Sequence, residues 1–228
     1  GEGKFEGKPH PKLRIIANLF PEDLHLVMPK GAKINDLSDL KGKRVGIAQA
    51  GSGTQVAVLQ MLEAWGVNRD NMEEAELNNS QSAERLADGQ LDAYFYAAGW
   101  PVAAMVQLSS TKGMSLHSFT EDDLKKINGV IPAYIPSKIP AGVYEGVDTD
   151  TLTPAVSAML VVSSDQSEEL VYGITKALWN DNTRKLLDNG HAKGKQITPD
   201  TALDGVAALG VPLHPGAEKF YKEVGLLK

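Results

Sequence analysis

The stretch that most constrains this chain runs from Arg44 to Gly66, RVGIAQAGSGTQVAVLQMLEAWG. An apolar strand-like segment, Arg44 to Ala48, meets a Gly-Ser-Gly-Thr turn and restarts as a helix. Val58, Leu62 and Trp65 share one face of that helix, and Gly66 is placed to end it. The turn leaves backbone N–H groups pointing outward at the positive end of the helix dipole, a place that attracts anions. Phosphates, nucleotide pyrophosphates and carboxylates all qualify.

A second unit repeats the plan. A short strand near Glu76-Leu77 leads to a helix opening at Asn79 or Ser80, Gly89 ends it, and LDAYFYAAG reads as a buried strand. Alternation of strand and helix implies an α/β fold with a parallel-rich sheet and right-handed crossovers. Upstream, Leu13 to Ala17 and Leu24 to Met28 read as two strands separated by the turn NLFPED. Downstream, Pro101 suits the start of the helix VAAMVQL, and Ser109 to Gly146, with Pro132, Pro136 and Pro140, reads as short strands and turns. VSAMLVVSS reads as a fully buried strand, SEELVYGITKALWND as a helix starting near Ser164 or Ser167, and GAEKFYKEVG as a closing helix.

The 228 residues carry 23 Lys+Arg against 29 Asp+Glu, a net charge of -6 with the basic residues scattered. Nucleic acid is therefore excluded as an expected partner. The longest apolar stretch, Pro154 to Val162, is about half of the roughly twenty residues a spanning helix needs. With no cysteine there is no disulfide, thiolate zinc site or cysteine nucleophile. The five histidines, His10, His25, His117, His191 and His214, include no close pair, so no metal site is expected.

Nucleotide motifs fit the turn poorly. Gly51 and Gly53 supply two glycines of a dinucleotide fingerprint, with Glu73 or Glu74 about twenty residues on, but position 56 is Val where the third glycine belongs. A phosphate loop needs a lysine after its last glycine, and Thr54 stands there. A nucleophile elbow needs glycine where Ala50 and Thr54 stand, and the Ser-x-x-Lys match Ser38 to Lys41 reads as surface. The plainest reading of GSGT is a helix cap by Ser52 or Thr54. The functional reading gains from Gly99, a second glycine at the C-terminal edge of a strand, beside Trp100 and the aromatics Tyr94 and Tyr96. Ligands of open parallel sheets bind at that edge. Of Tyr94, Phe95 and Tyr96 at least one packs in the core, because strand side chains alternate.

Taken in order, DLKGKRVGI with GSGT, LADGQLDAYFYAAGWP, IPAGVYEG and HPGAEKFYKEVG resemble the TAXI family of solute receptors for TRAP transporters, over nearly the whole chain. The resemblance implies a periplasmic, non-enzymatic receptor of two-lobed periplasmic-binding-protein-like (type II) fold. It would capture a small anionic solute, glutamate-like or another carboxylate, between two lobes and deliver it to a TRAP transporter membrane subunit, with no cofactor. It places residues 1–28 and 156–228 in the first lobe and 29–155 in the second, with hinge crossings near Leu26 to Lys30 and Asp148 to Ala158. It also implies that the chain begins after the family's opening strand-helix-strand-helix block and signal peptide. The ligand-binding residues expected are Ser52, Gly53, Thr54, Gln55, Tyr96, Gly99, Trp100 and Tyr144. The alternatives are a nucleotide-dependent Rossmann-like enzyme and a ligand-sensing regulatory domain of the same two-lobed shape.

Overall fold

The computed structural model describes residues 7–228. The chain divides into two compact units: Glu22–Val156, and the residues up to Pro21 together with Ser157–Lys228. Two long strands, β1 (Leu13–Pro29) and β7 (Thr151–Ser163), each pass from one unit into the other. Where the sequence reads as two strands and a turn, β1 is continuous through Phe20-Pro21-Glu22. The fixed φ of proline suits extended backbone, so Pro21 costs the strand one N–H donor and not its course.

In Glu22–Val156 the elements follow as β2 (Arg44–Gly46), α1 (Gly53–Ala64), β3 (Glu73–Ala75), α2 (Asn79–Ala87), β4 (Ala93–Ala98), α3 (Ala103–Thr111), β5 (Met114–Leu116), α4 (Glu121–Val130) and β6 (Ile135–Ile139). Strands β3 and β4 lie parallel to β2 on its two edges. The sheet as a whole is mixed, because β4 and β5 both pair antiparallel with β1, and β6 pairs antiparallel with β7. The α/β class expected from strand-helix alternation is present, its parallel part being β3-β2-β4.

Alternation along β4 sorts the core into two layers. Ala93 and Phe95 face Leu24, Leu26, Val45 and Ile47, and are covered by Val58, Met61 and Leu62 of α1 and by Leu124 and Ile127 of α4. Tyr94 faces the other way, into Val27, Ala83 and Leu86 of α2, Met105 and Leu108 of α3, and Tyr144. Helix α4 lies in the stretch read as strands and turns. Its start was written in the sequence all the same: Thr120 and Asp123 form a reciprocal capping box, with acidic residues filling the first turn.

In the other unit, the N-terminal half of β1 and the C-terminal half of β7 are joined by α5 (Glu168–Leu178), α6 (Asp181–Gly190) and α7 (Pro215–Glu223). Ile16 and Ala17 pack with Val171, Ala217, Phe220 and Tyr221, and the Tyr221 hydroxyl donates to the Ile16 carbonyl at 3.0 Å. The run VSAMLVVSS is not fully buried as its composition implied. Leu160 and Val162 pack on this core, whereas Val161, on the opposite face, is 44% exposed. Helices α5 and α7 meet at Gly216, where an added Cβ would stand 2.3 Å from the Glu168 carbonyl oxygen and 2.5 Å from the Tyr172 nitrogen.

Two stability predictions follow from this packing. Gly216→Ala must push two helix backbones apart, an overpacking cost of about 1–3 kcal/mol, read as a lowered unfolding midpoint in denaturant. His117 is buried, with its Nε2 lacking a hydrogen-bond partner among the described residues. Burial holds the ring below its ordinary value of 6.5, against the opposing pull of Asp123, Asp36 and Asp39. The unfolded chain therefore binds a proton before the folded one does. The contribution of His117 is complete above about pH 6.5 and is lost as pH falls below it. Denaturation midpoints compared at about pH 7.5 and about pH 5 should fall less in His117→Gln than in the parent.

Candidate functional site

The C-terminal ends of three adjacent strands, β3, β2 and β4, run into the starts of α2, α1 and α3. Each helix start is built differently. At α1 the Ser52 hydroxyl accepts from the Gln55 N–H at 3.1 Å, the cap that the sequence allows. Gly51, at φ +71, adopts a backbone that other residues resist. Ala48, just past β2, also has positive φ, at 69°, which is costly for a residue with a Cβ and concentrates at functional turns. Gly53 is exposed and Thr54 half-buried.

Gln55 is buried, and its amide works in both directions. Its Oε1 accepts from the Gly51 N–H at 2.7 Å, and its Nε2 donates to Glu76 Oε1 at 2.8 Å. The amide thus ties the turn after β2 to the turn after β3. Glu76 also lies 3.6 Å from the Arg69 guanidinium, itself paired with Glu74 at 2.6 Å, so its charge is partly balanced. At α2, Asn78 caps the Gln81 N–H at 2.9 Å and Gln81 returns the bond to Asn78 at 3.1 Å. Next to it, the Oδ1 of Asn79 is buried with no hydrogen-bond partner among the described residues.

At α3 the N-cap is Val102, with no side-chain cap. Tyr144 holds Val102 itself, its hydroxyl accepting from the Val102 N–H at 3.1 Å. Tyr144 is 1% exposed and its hydroxyl is also 3.0 Å from His25 Nε2, so it stands in the interior behind the edge. Burial raises its pKa, keeping it a neutral phenol. Tyr96, near the end of β4, and the loop residues Gly99 and Trp100 are half-buried. Tyr96 and Trp100 pack against the layer that holds Tyr94 and Tyr144.

The structure therefore brings Ser52, Gly53, Thr54 and Gln55 together at one turn, and Tyr96, Gly99 and Trp100 at the end of the adjacent strand. Tyr144 sits beneath the second group. Sequence reasoning missed Glu76 and Asn79 at this edge and His25 behind it. The signal for His25 was available: in LHLVM a polar residue interrupts an apolar strand. Among the described residues no group of acidic or histidine side chains could hold a metal ion, and no helix is long and apolar enough to cross a membrane.

Solved structures with a similar course of chain include an ancestral arginine-binding protein bound to arginine, 20% identical, with 86% of this chain and 66% of that chain covered and a TM-score of 0.43. The putative sulfonate ABC transporter, periplasmic sulfonate-binding protein SsuA from Methylobacillus flagellatus KT, is 15% identical, with 98% of this chain and 64% of that chain covered and a TM-score of 0.47. The alkanesulfonate-binding protein SsuA from Xanthomonas axonopodis pv. citri, bound to MOPS, is 17% identical, with 95% and 56% covered and a TM-score of 0.38. This chain thus spans less than two thirds of the length of each. The sequence model described as the NMT1-like family matches residues 1–225, and the chain belongs to that family.

Proposed function

We propose that this chain is an extracytoplasmic solute receptor, without enzymatic activity. It captures a small carboxylate-bearing solute, glutamate-like or another organic anion, at the C-terminal edge of β3-β2-β4 and delivers it to a TRAP-type membrane transporter. Membership of the NMT1-like family and the resemblance of its motifs to TAXI receptors support the receptor role. The observation that carries the anionic preference is the start of α1. Ser52 caps the Gln55 N–H and Gln55 takes the Gly51 N–H, so the N–H groups of Gly53 and Thr54, which a first helical turn leaves without intrahelical partners, are the ones available to an anion next to the Ser52 and Thr54 side chains. A carboxylate there would be held by charge-assisted hydrogen bonds worth roughly 1.5–3 kcal/mol each. Trp100 and Tyr96 would supply the apolar wall that a small-molecule site needs.

The test separates binding from folding. Calorimetric titration with L-glutamate and with 2-oxoglutarate is run on the parent and on Thr54→Val, Ser52→Ala and Thr54→Asp, with a melting curve for each. Loss of one hydroxyl should weaken binding about tenfold. Thr54→Asp should abolish binding while leaving stability equal or higher, because a carboxylate in the first turn favours the helix and occupies the anion position. Unchanged affinity in all three variants would reduce GSGT to a helix cap and remove the proposed site.

A further inference from the structure

We infer that His25 is a positioning residue for the binding edge: through Tyr144 it fixes the start of α3, and with it the Gly99-Trp100 turn that precedes that helix. The inference starts from hydrogen-bond direction. His25 lies on β1 opposite Tyr96 of β4 and is 1% exposed. Its Nδ1 is 3.0 Å from the Asp23 carbonyl and 3.2 Å from the Tyr96 carbonyl. Both oxygens can only accept, so Nδ1 carries the hydrogen, and in that tautomer Nε2 presents a lone pair. The phenol of Tyr144, 3.0 Å away, is then the donor to Nε2. A hydroxyl that donates one hydrogen still accepts, and the remaining lone pairs of Tyr144 meet the Val102 N–H.

The bonds therefore point one way, from Val102 to Tyr144 to His25 to the carbonyls of β1 and β4. The two rings also meet edge to face, with centroids 5.8 Å apart. Helix α3 has no side-chain cap of its own, so its N-cap residue Val102 is held by Tyr144 and, through Tyr144, by a strand more than seventy residues upstream. The buried Asp23 carboxylate beside this chain of bonds accepts from the Ser137 hydroxyl at 2.5 Å. Removing the acceptor on His25 frees the Tyr144 hydroxyl to turn. Removing the hydroxyl leaves the half-buried Val102 N–H without its partner, and the start of α3 then loosens or shifts as that group turns to water.

The affinity arm of the test rests on the proposed binding edge; the other two do not. In the full chain, Tyr144→Phe, His25→Leu, His25→Gln and the Tyr144→Phe/His25→Leu double variant are compared. The readouts are amide exchange at Val102, the Trp100 part of the emission (by difference from Trp100→Phe) and calorimetric affinity for L-glutamate. Tyr144→Phe and His25→Leu should each speed exchange at Val102 at least tenfold more than at Phe95 or Met61 and shift the Trp100 emission. The double variant should go no further than Tyr144→Phe alone. His25→Gln, whose amide oxygen reaches where Nε2 stood, should restore most of the parent signal. Affinity should fall about tenfold in the first two variants and recover in the third. Uniform exchange across the unit, additive effects in the double variant, or no rescue by glutamine would overturn the inference. If the parent fails to bind L-glutamate while exchange and emission behave as expected, the proposed ligand falls and the positioning role stands.

Discussion

Burial of both faces of β4 sets the number of layers in the unit Glu22–Val156. With Phe95 turned to one side and Tyr94 to the other, each side needs its own helices, and α1 and α4 cover one while α2 and α3 cover the other. Phe95 contributes about 1.5–3 kcal/mol by leaving water, and a one-residue slip of β4 would turn both sides over at once. The same constraint fixes where polar groups can go. Helices packed on both faces of parallel strands start together at the C-terminal edge of those strands, and there the backbone N–H groups are open.

Gln55 and Tyr144 show two ways of ordering such an edge. Gln55 spends a buried amide between two turns, so the loop after β2 and the loop after β3 hold one another. Tyr144 reaches the start of α3 from a distant turn and is in turn held by His25. Both groups are buried and hydrogen-bonded, which in the low-dielectric interior gives them a single arrangement. An edge ordered before a solute arrives loses less entropy when it binds.

Elements with strong local signals were legible. The stop at Gly66 and a strand within LDAYFYAAG stand where residue chemistry put them, and of the paired alternatives the structure uses Ser52 over Thr54 as the cap of α1 and Ser167 over Ser164 at the start of α5. What escaped had weaker local signals or depended on distant partners. Pro21 reads locally as a turn, yet β1 runs through it without a break, since the fixed φ of proline is also an extended-strand value. Helix α4 was hidden by three prolines downstream, although its capping box was present. VSAMLVVSS is uniformly apolar, and such a run does not say which face a unit will cover. The candidate site divides the same way. GSGT was visible because its residues are adjacent, whereas Glu76 and Asn79 join the edge through strand order, which no local pattern encodes, and His25, marked only as a polar break in LHLVM, acts on it through Tyr144.

Helix α6 carries a different consequence. It has no buried residue, Leu186 is 73% exposed, its Arg184–Asp188 ion pair is internal, and its side-chain ties to the rest of the unit include the Arg184 bonds to the carbonyls of Ile197 and Gly194 and the Thr183 hydroxyl on the Ala177 carbonyl. A segment that hides so little from water opens at small cost while the rest of its unit stays closed. Proteases would find their first foothold there, and a graft or label placed on its outer face would disturb the remainder of the chain least.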